Sequence, residues 1–249
     1  MVRCLAIGGS DCSGGAGVEA DLAIFHDAAI EGCSVITALT AQTARQIYRI
    51  EPSPLPQITA TFAAVAELQP IAAIKTGMLV DSERVQTIAT AIARHFADTP
   101  LVVDPVSISS SGSELLSPAG VEALTHHLFP LATLITPNLD EAERLLGGRI
   151  VDCKSAASAL AQQFNCAVLL KGGHGSEPTV TDTLVLSSGE MEQWQFPRQQ
   201  MTATAAHGTG CRVAATIAAA LALEMPLCQA VPRAHHAATT GRCLLSLRA

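Results

Sequence analysis

Apolar residues along this chain fall into short β-type runs separated by longer stretches with helical spacing. Strands are predicted over Cys4–Ile7, Ser34–Thr40, Ile71–Lys75, Leu101–Asp104, Thr133–Thr136 and Ala167–Lys171. Helices are predicted over Gly17–Ile30, Gln57–Leu68, Ser82–Ala97, Pro118–Leu128, Leu139–Leu146 and Lys154–Phe164. Local chemistry agrees with these boundaries. Pro56 opens one helix, Asp81 and Ser117 stand where N-caps belong, Pro105 stops a strand, and Gly147-Gly148 ends the fifth helix. After Gly175 the pattern changes. Thr181–Leu186 and Met191–Phe196 flank Ser187-Ser188-Gly189-Glu190 as a hairpin. Helices over Thr209–Leu223 and Leu227–Leu247 close the chain.

Near-continuous apolar strands alternating with helices predict an α/β fold, a mostly parallel central sheet with helices on both faces. No linker, repeat or low-complexity segment interrupts the pattern, so residues 1–249 are read as one domain. Ligands in such sheets bind beyond the carboxyl ends of the strands. The residues there are Gly8-Gly9-Ser10-Asp11, Ala41-Gln42, Thr76-Gly77-Met78, Asp104-Pro105-Val106, Pro137-Asn138 and Lys171-Gly172-Gly173-His174. Most are polar or glycine-rich, as a site rim requires.

Composition narrows the function classes. Hydrophobic residues make up 49% and aromatics only 3%, so the core is aliphatic. A net charge of −7 argues against a general nucleic-acid binder. The eight cysteines are scattered, with no CxxC pair, and the eight histidines have no metal spacing. Neither a disulfide framework nor a zinc site is expected. No apolar run has the form of a signal peptide or reaches transmembrane length, which predicts a cytoplasmic protein.

His207-Gly208-Thr209-Gly210-Cys211 precedes an alanine-rich helical run, so its glycines fall at a helix start. Such a start offers unpaired N–H groups and partial positive charge. One reading is an anion hole whose field lowers the Cys211 pKa. The other is a glycine turn with Cys211 as a small buried residue. Gly15-Ala16-Gly17-Val18-Glu19-Ala20 matches a dinucleotide fingerprint in form. The loop expected over 8–14 separates it from the strand, which argues against that use. No Walker sequence is present. Asp21 is either a solvated helix acid or a substrate contact, and Gln42 either a loop amide or a group that grips a heteroaromatic edge. Asn138 and Glu141 share a helix face suited to Mg2+ or its waters. Asp104 at a buried strand end needs a partner, and Lys171 suits a phosphate or an acid.

Taken in chain order, these segments resemble the ribokinase-like superfamily. More narrowly, they resemble the hydroxymethylpyrimidine/phosphomethylpyrimidine kinases of thiamine synthesis. The matching pieces are Gly8–Asp11 with Ser13–Gly17 and Asp21, Ser34–Leu39 with Ala41-Gln42, Lys75–Leu79, Val103–Val106, Thr136–Asn138 with Glu141-Ala142, Lys171–His174, and His207–Cys211. The resemblance implies a ribokinase-like three-layer sandwich. It also implies ATP-dependent phosphorylation of 4-amino-5-hydroxymethyl-2-methylpyrimidine and then of its monophosphate. On that reading Gln42 holds the pyrimidine, Gly9, Ala16, Gly17 and Asp21 line its pocket, and Met78 and Val106 form apolar walls. Gly208, Thr209 and Gly210 would receive the phosphoryl group, with Cys211 at the acceptor hydroxyl. Lys171, Asn138 and Thr209 would contact ATP, and Asp104 and Glu141 would hold Mg2+. Relatives often pair as homodimers.

The chain departs from the family pattern in places. Ala205-Ala206 stands where Asn-Thr is usual, Arg212 where Thr or Ser follows the cysteine, and Cys12 where Pro or Ser is common. The stretch Thr43–Ile47, which leads into a substrate flap in the family, is a few residues short. These changes motivate two alternatives, a pyridoxal kinase-like activity and a catalytically weak pyrimidine- or pyridine-binding relative.

Overall fold

A computed structural model describes residues 2–109, 112–173, 178–243 and 245; His174 of the lysine motif lies outside them. The strands are β1 (Arg3–Asp11), β2 (Glu31–Thr43), β3 (Gln46–Pro52), β4 (Ala73–Thr76), β5 (Leu101–Val103), β6 (Leu134–Ile135), β7 (Ala167–Leu170), β8 (Thr179–Val185) and β9 (Met191–Pro197). The helices are α1 (Gly17–Asp27), α2 (Leu55–Ala66), α3 (Ser82–His95), α4 (Pro118–Ala123), α5 (Leu139–Leu146), α6 (Cys153–Phe164), α7 (Ala203–Ala206), α8 (Thr209–Ala222) and α9 (Leu227–Thr240). All nine strands form one sheet in the order β3-β2-β1-β4-β5-β6-β7-β8-β9. The run from β2 to β7 is parallel, and β3, β8 and β9 add antiparallel edges.

Strand parity builds the two layers. Leu5, Ile7, Ile74, Leu101, Val103, Ile135, Val168 and Leu170 pack with α2 to α6. Their neighbours Cys4, Ala6, Ala73, Val102, Leu134, Ala167 and Leu169 pack with α1, α8 and α9. The second set is small at the sheet centre, where α8 presents a stripe of buried alanines (Ala214, Ala215, Ala218, Ala219). Small residues on both sides let helix and sheet approach closely at native packing density. The same parity puts Lys75 within β4, and Asp104 one residue past β5, on the α8 face.

Several expectations shift. The first strand runs on through Gly8 and Gly9 to Asp11, so the expected loop shortens to residues 12–16. A register shift against β2 falls between those glycines. A Cβ on Gly9 would lie 3.0 Å from the Met78 sulfur, so the residue that reads as a loop former is there for close packing. β2 extends to Thr43 and pairs with β3, an element absent from the sequence reading. β3 is a mostly polar edge strand, with Tyr48 68% exposed, and its turn at Ala44-Arg45 carries no Gly, Pro or Asn. The helix expected over 118–128 changes to a π turn at Leu124–Leu128 and a 3-10 turn at Phe129–Leu131. Pro130 lacks the N–H and crowds the preceding turn, which ends regular α geometry. α9 stops at Thr240 because Gly241 turns left-handed at φ 71°; residues 244, 246 and 247 of the expected span lie outside the described residues.

The chain builds β1, β2 and β3 outward, then crosses back to start β4 on the other side of β1. That reversal opens a crevice beyond the carboxyl ends of β1 and β4, the general ligand position in doubly wound sheets.

Candidate active site

The crevice holds a cavity of about 660 Å³, within the size range of small-ligand sites. Every candidate residue chosen from the sequence lines it. They are Gly9, Ala16, Gly17, Asp21, Gln42, Met78 and Val106, together with Asp104, Asn138, Glu141, Lys171, Gly208, Thr209, Gly210 and Cys211.

Two helix starts face this space. α8 begins behind Gly208, at φ 74°, and α1 behind Ala16; neither cap residue makes a side-chain hydrogen bond. The first helical bond of α8 is Arg212 N–H to Gly208 O, so the N–H groups of Thr209, Gly210 and Cys211 precede it. The Thr209 hydroxyl donates to Ala206 O at 3.0 Å. The departure Ala205-Ala206 forms the single turn α7, capped by Thr202, and Ala206 faces the cavity. α1 likewise turns a glycine inward, and the Gly17 backbone lies beside the Cys211 thiol, where it favours the charged form.

The loop between β1 and α1 is held by one buried carboxylate. Asp11 accepts from Ser13 N and Oγ at 2.8 Å, from Ala16 N at 2.9 Å, and bonds His207 Nε2 at 2.7 Å. Burial raises its pKa, but these bonds outweigh that and hold it below the usual carboxylate value. Arg212 neither reaches toward the cavity nor extends into solvent. Its guanidinium donates to His207 O at 3.1 Å and Gly15 O at 3.0 Å. Cys12 bonds both backbone groups of Gln42, at 3.3 and 3.4 Å, where a register shift between Ala41 and Gln42 re-aims β2.

Beneath the cavity lies a charged strip. Asp21 is 0% exposed and takes both its bonds from Lys75 Nζ, at 2.9 and 2.8 Å. The sequence offered a solvated acid or a substrate contact at Asp21; the structure shows a buried ion-pair member at the cavity floor. Burial pushes the Asp21 carboxyl up to about 6 against the pull of Lys75. Lys75 is raised above its ordinary value, because Asp21 and the neighbouring acids outweigh its own burial. Farther along, Asp104 accepts from Lys171 Nζ at 2.8 Å and Thr136 Oγ1 at 2.9 Å through one oxygen. Lys171 pays for burial but is raised overall by Asp104 and Glu141. Glu141 and Asn138 form a reciprocal capping box at 2.9 Å in both directions, which fixes the start of α5. Burial pushes Glu141 up to about 7, with Lys171 opposing and Asp104 adding to the rise.

Of the two sequence readings of Cys211, the field-lowered thiol is overturned and burial is what the structure shows. Burial pushes its thiol up, and Lys75 opposes that without reversing it. The helix field is present, but desolvation dominates.

Sequence reasoning named Asp11, Lys75 and His207 only within longer stretches and gave none of them a role of its own. Lys75 could have been found as the one charge in an otherwise apolar strand run. The His207–Asp11 and Arg212–Gly15 contacts span most of the chain and leave no spacing signal.

A family description, phosphomethylpyrimidine kinase, matches residues 11–241 of the chain. This chain belongs to the phosphomethylpyrimidine kinase family. A hydroxymethylpyrimidine/phosphomethylpyrimidine kinase of Haemophilus influenzae is 42% identical over 238 residues, covering 93% of this chain and 87% of that protein. The crystal structure of the Clostridium difficile phosphomethylpyrimidine kinase superposes with a TM-score of 0.83 at 34% identity, covering 97% and 99% of the two chains. An ADP complex of Bacillus subtilis pyridoxal kinase superposes at 0.85 with 30% identity, covering 95% and 90%. The sheet and its two helical layers are thus the ribokinase-like sandwich of phosphomethylpyrimidine kinases. Among the described residues no helix is long and apolar enough to cross a membrane.

Proposed function

We propose that this chain transfers the γ-phosphoryl group of ATP to the hydroxymethyl oxygen of 4-amino-5-hydroxymethyl-2-methylpyrimidine, and then to the phosphate of that product, as a step in making thiamine. The observation that carries the reading is the convergence of the α8 start, Lys171, two carboxylates and Gln42 on one cavity, in a member of this kinase family.

Phosphoryl transfer through a loose transition state asks mainly for positioning and charge neutralisation. The α8 amides before Arg212 supply fixed positive dipoles for the phosphoryl oxygens. Lys171, held by Asp104, supplies a full charge beside them. Gln42 presents one donor and one acceptor group for the aminopyrimidine edge, with Met78 and Val106 as apolar walls. Asp104 and Glu141 are hard-oxygen donors, and one or two carboxylates plus substrate phosphates are the usual Mg2+ set. They are the residues that would hold Mg2+, which would supply positive charge to neutralise the phosphates. Asn138 and Thr209 stand near the same phosphates.

A raised thiol is a poor base at neutral pH, so Cys211 acts beside the acceptor hydroxyl as a positioned thiol rather than a thiolate. A loose transition state retains the hydroxyl proton late, which reduces the need for a strong base. Cys211→Ala is expected to lower kcat about tenfold or more; steady-state kinetics check it, and unchanged turnover removes Cys211 from the mechanism. All eight cysteines are free thiols, which fits a reducing, cytoplasmic setting.

Mass analysis of products from the pyrimidine, MgATP and this protein tests the assignment. One and two added phosphates are the expected products, and no reaction refutes it. The likeness to pyridoxal kinase favours a second acceptor, so pyridoxal belongs in the same assay. Turnover of pyridoxal alone would transfer the assignment to that ring.

A further inference from the structure

Arg212 occupies the first turn of α8, where the helix dipole disfavours a cation. It forms no ion pair with a carboxylate among the described residues, and its guanidinium donates to two backbone carbonyls. Those carbonyls belong to different loops. His207 O lies in the turn that starts α8, and Gly15 O lies in the loop that starts α1, 197 positions from Arg212. The two loops are in contact without it: a Cβ on Gly15 would come within 2.5 Å of the His207 ring, and a Cβ on Gly208 within 2.0 Å of Gly15 O. The Asp11–His207 bond, at 2.7 Å, ties them at one point and leaves them free to pivot about it. A planar guanidinium with fixed donor directions does not.

We infer that Arg212 is a positioning residue, whose fork locks the phosphoryl-binding turn 207–210 to the acceptor loop 12–17 and so fixes the spacing between the two reacting groups. The inference rests on the proposed kinase reading for its kinetic consequence. Its structural consequence stands without that reading. Each substrate still finds its own subsite when the lock is lost, but the pair loses alignment. The effect therefore falls on kcat more than on either KM.

Arg212→Ala is expected to lower kcat about tenfold or more while moving both KM values by less than about threefold. Added guanidinium ion is expected to restore part of the lost rate. Arg212→Lys is expected to stay closer to the alanine variant than to wild type, because one ammonium replaces charge but not the two-carbonyl fork. Hydrogen exchange at the Ala16 and Gly17 amides is expected to quicken in Arg212→Ala with the rest of the sheet unchanged. Full activity in Arg212→Ala, wild-type behaviour in Arg212→Lys, or unchanged exchange at 12–17 each overturns the lock. A general loss of thermal stability with no guanidinium rescue overturns it too, in favour of a merely structural arginine. Failure of the kinase reading looks different: the wild-type protein itself then transfers no phosphate, and the exchange measurement still decides the lock.

Discussion

Gly208→Ala is expected to lower turnover about a hundredfold or more, the scale of losing a preorganised anion-hole donor. Gly208 sits at φ 74°, and a side chain in that left-handed region costs about 1–2 kcal/mol. The larger effect is steric. An added Cβ would stand 2.0 Å from Gly15 O and 2.9 Å from Ala16 Cα, both backbone atoms that no rotamer can move aside. The turn must then swing away from the α1 start, and the α8 amides lose their aim into the cavity. Gly14→Ala is the control. Gly14 has φ 70° but nothing within 4 Å of its added Cβ. It should show the conformational cost and keep most of its turnover. Kinetics and thermal melting of the two variants side by side decide the point, and equal losses would rule out the collision as the cause.

The second large effect is on stability. Asp21→Asn is expected to destabilise the fold by about 3–5 kcal/mol, because it leaves Lys75 as a buried charge without its counter-ion. Lys75 is only 1% exposed, so solvent cannot replace the carboxylate. Asp21→Leu combined with Lys75→Met is expected to recover much of that loss, since an apolar pair of similar volume removes both charges together. Urea denaturation of the single and double variants measures this, and an Asp21→Asn cost below about 1 kcal/mol would overturn the claim.

The cavity floor shows where sequence reading stops. Strand ends were legible because apolar runs end abruptly, and that alone brought Gly9, Met78, Asp104, Asn138 and Lys171 to one rim. α5 was legible to the residue, since Asn138, Glu141 and Gly147 carry local cap chemistry. β3 was not, because an exposed edge strand needs no apolar stripe and its turn uses ordinary residues. Asp21 was noticed but its partner was not, as Lys75 lies 54 positions away. The Cys211 thiol shows the same limit in electrostatics: the sequence marks a helix start, but the desolvation that decides its pKa comes from elements distant in the chain.

The alanine stripe of α8 has a further consequence for how the protein is made. β1 and β4 are finished early in synthesis, yet the helix that covers the small-residue face at their centre runs to residue 222. Until that segment leaves the ribosome, α1 alone among the three helices of this layer is available, and the centre of the sheet stays open to solvent. A nascent chain of this protein thus carries an exposed apolar face until that segment is made. The pocket closes only when Cys211 arrives against glycines made long before it.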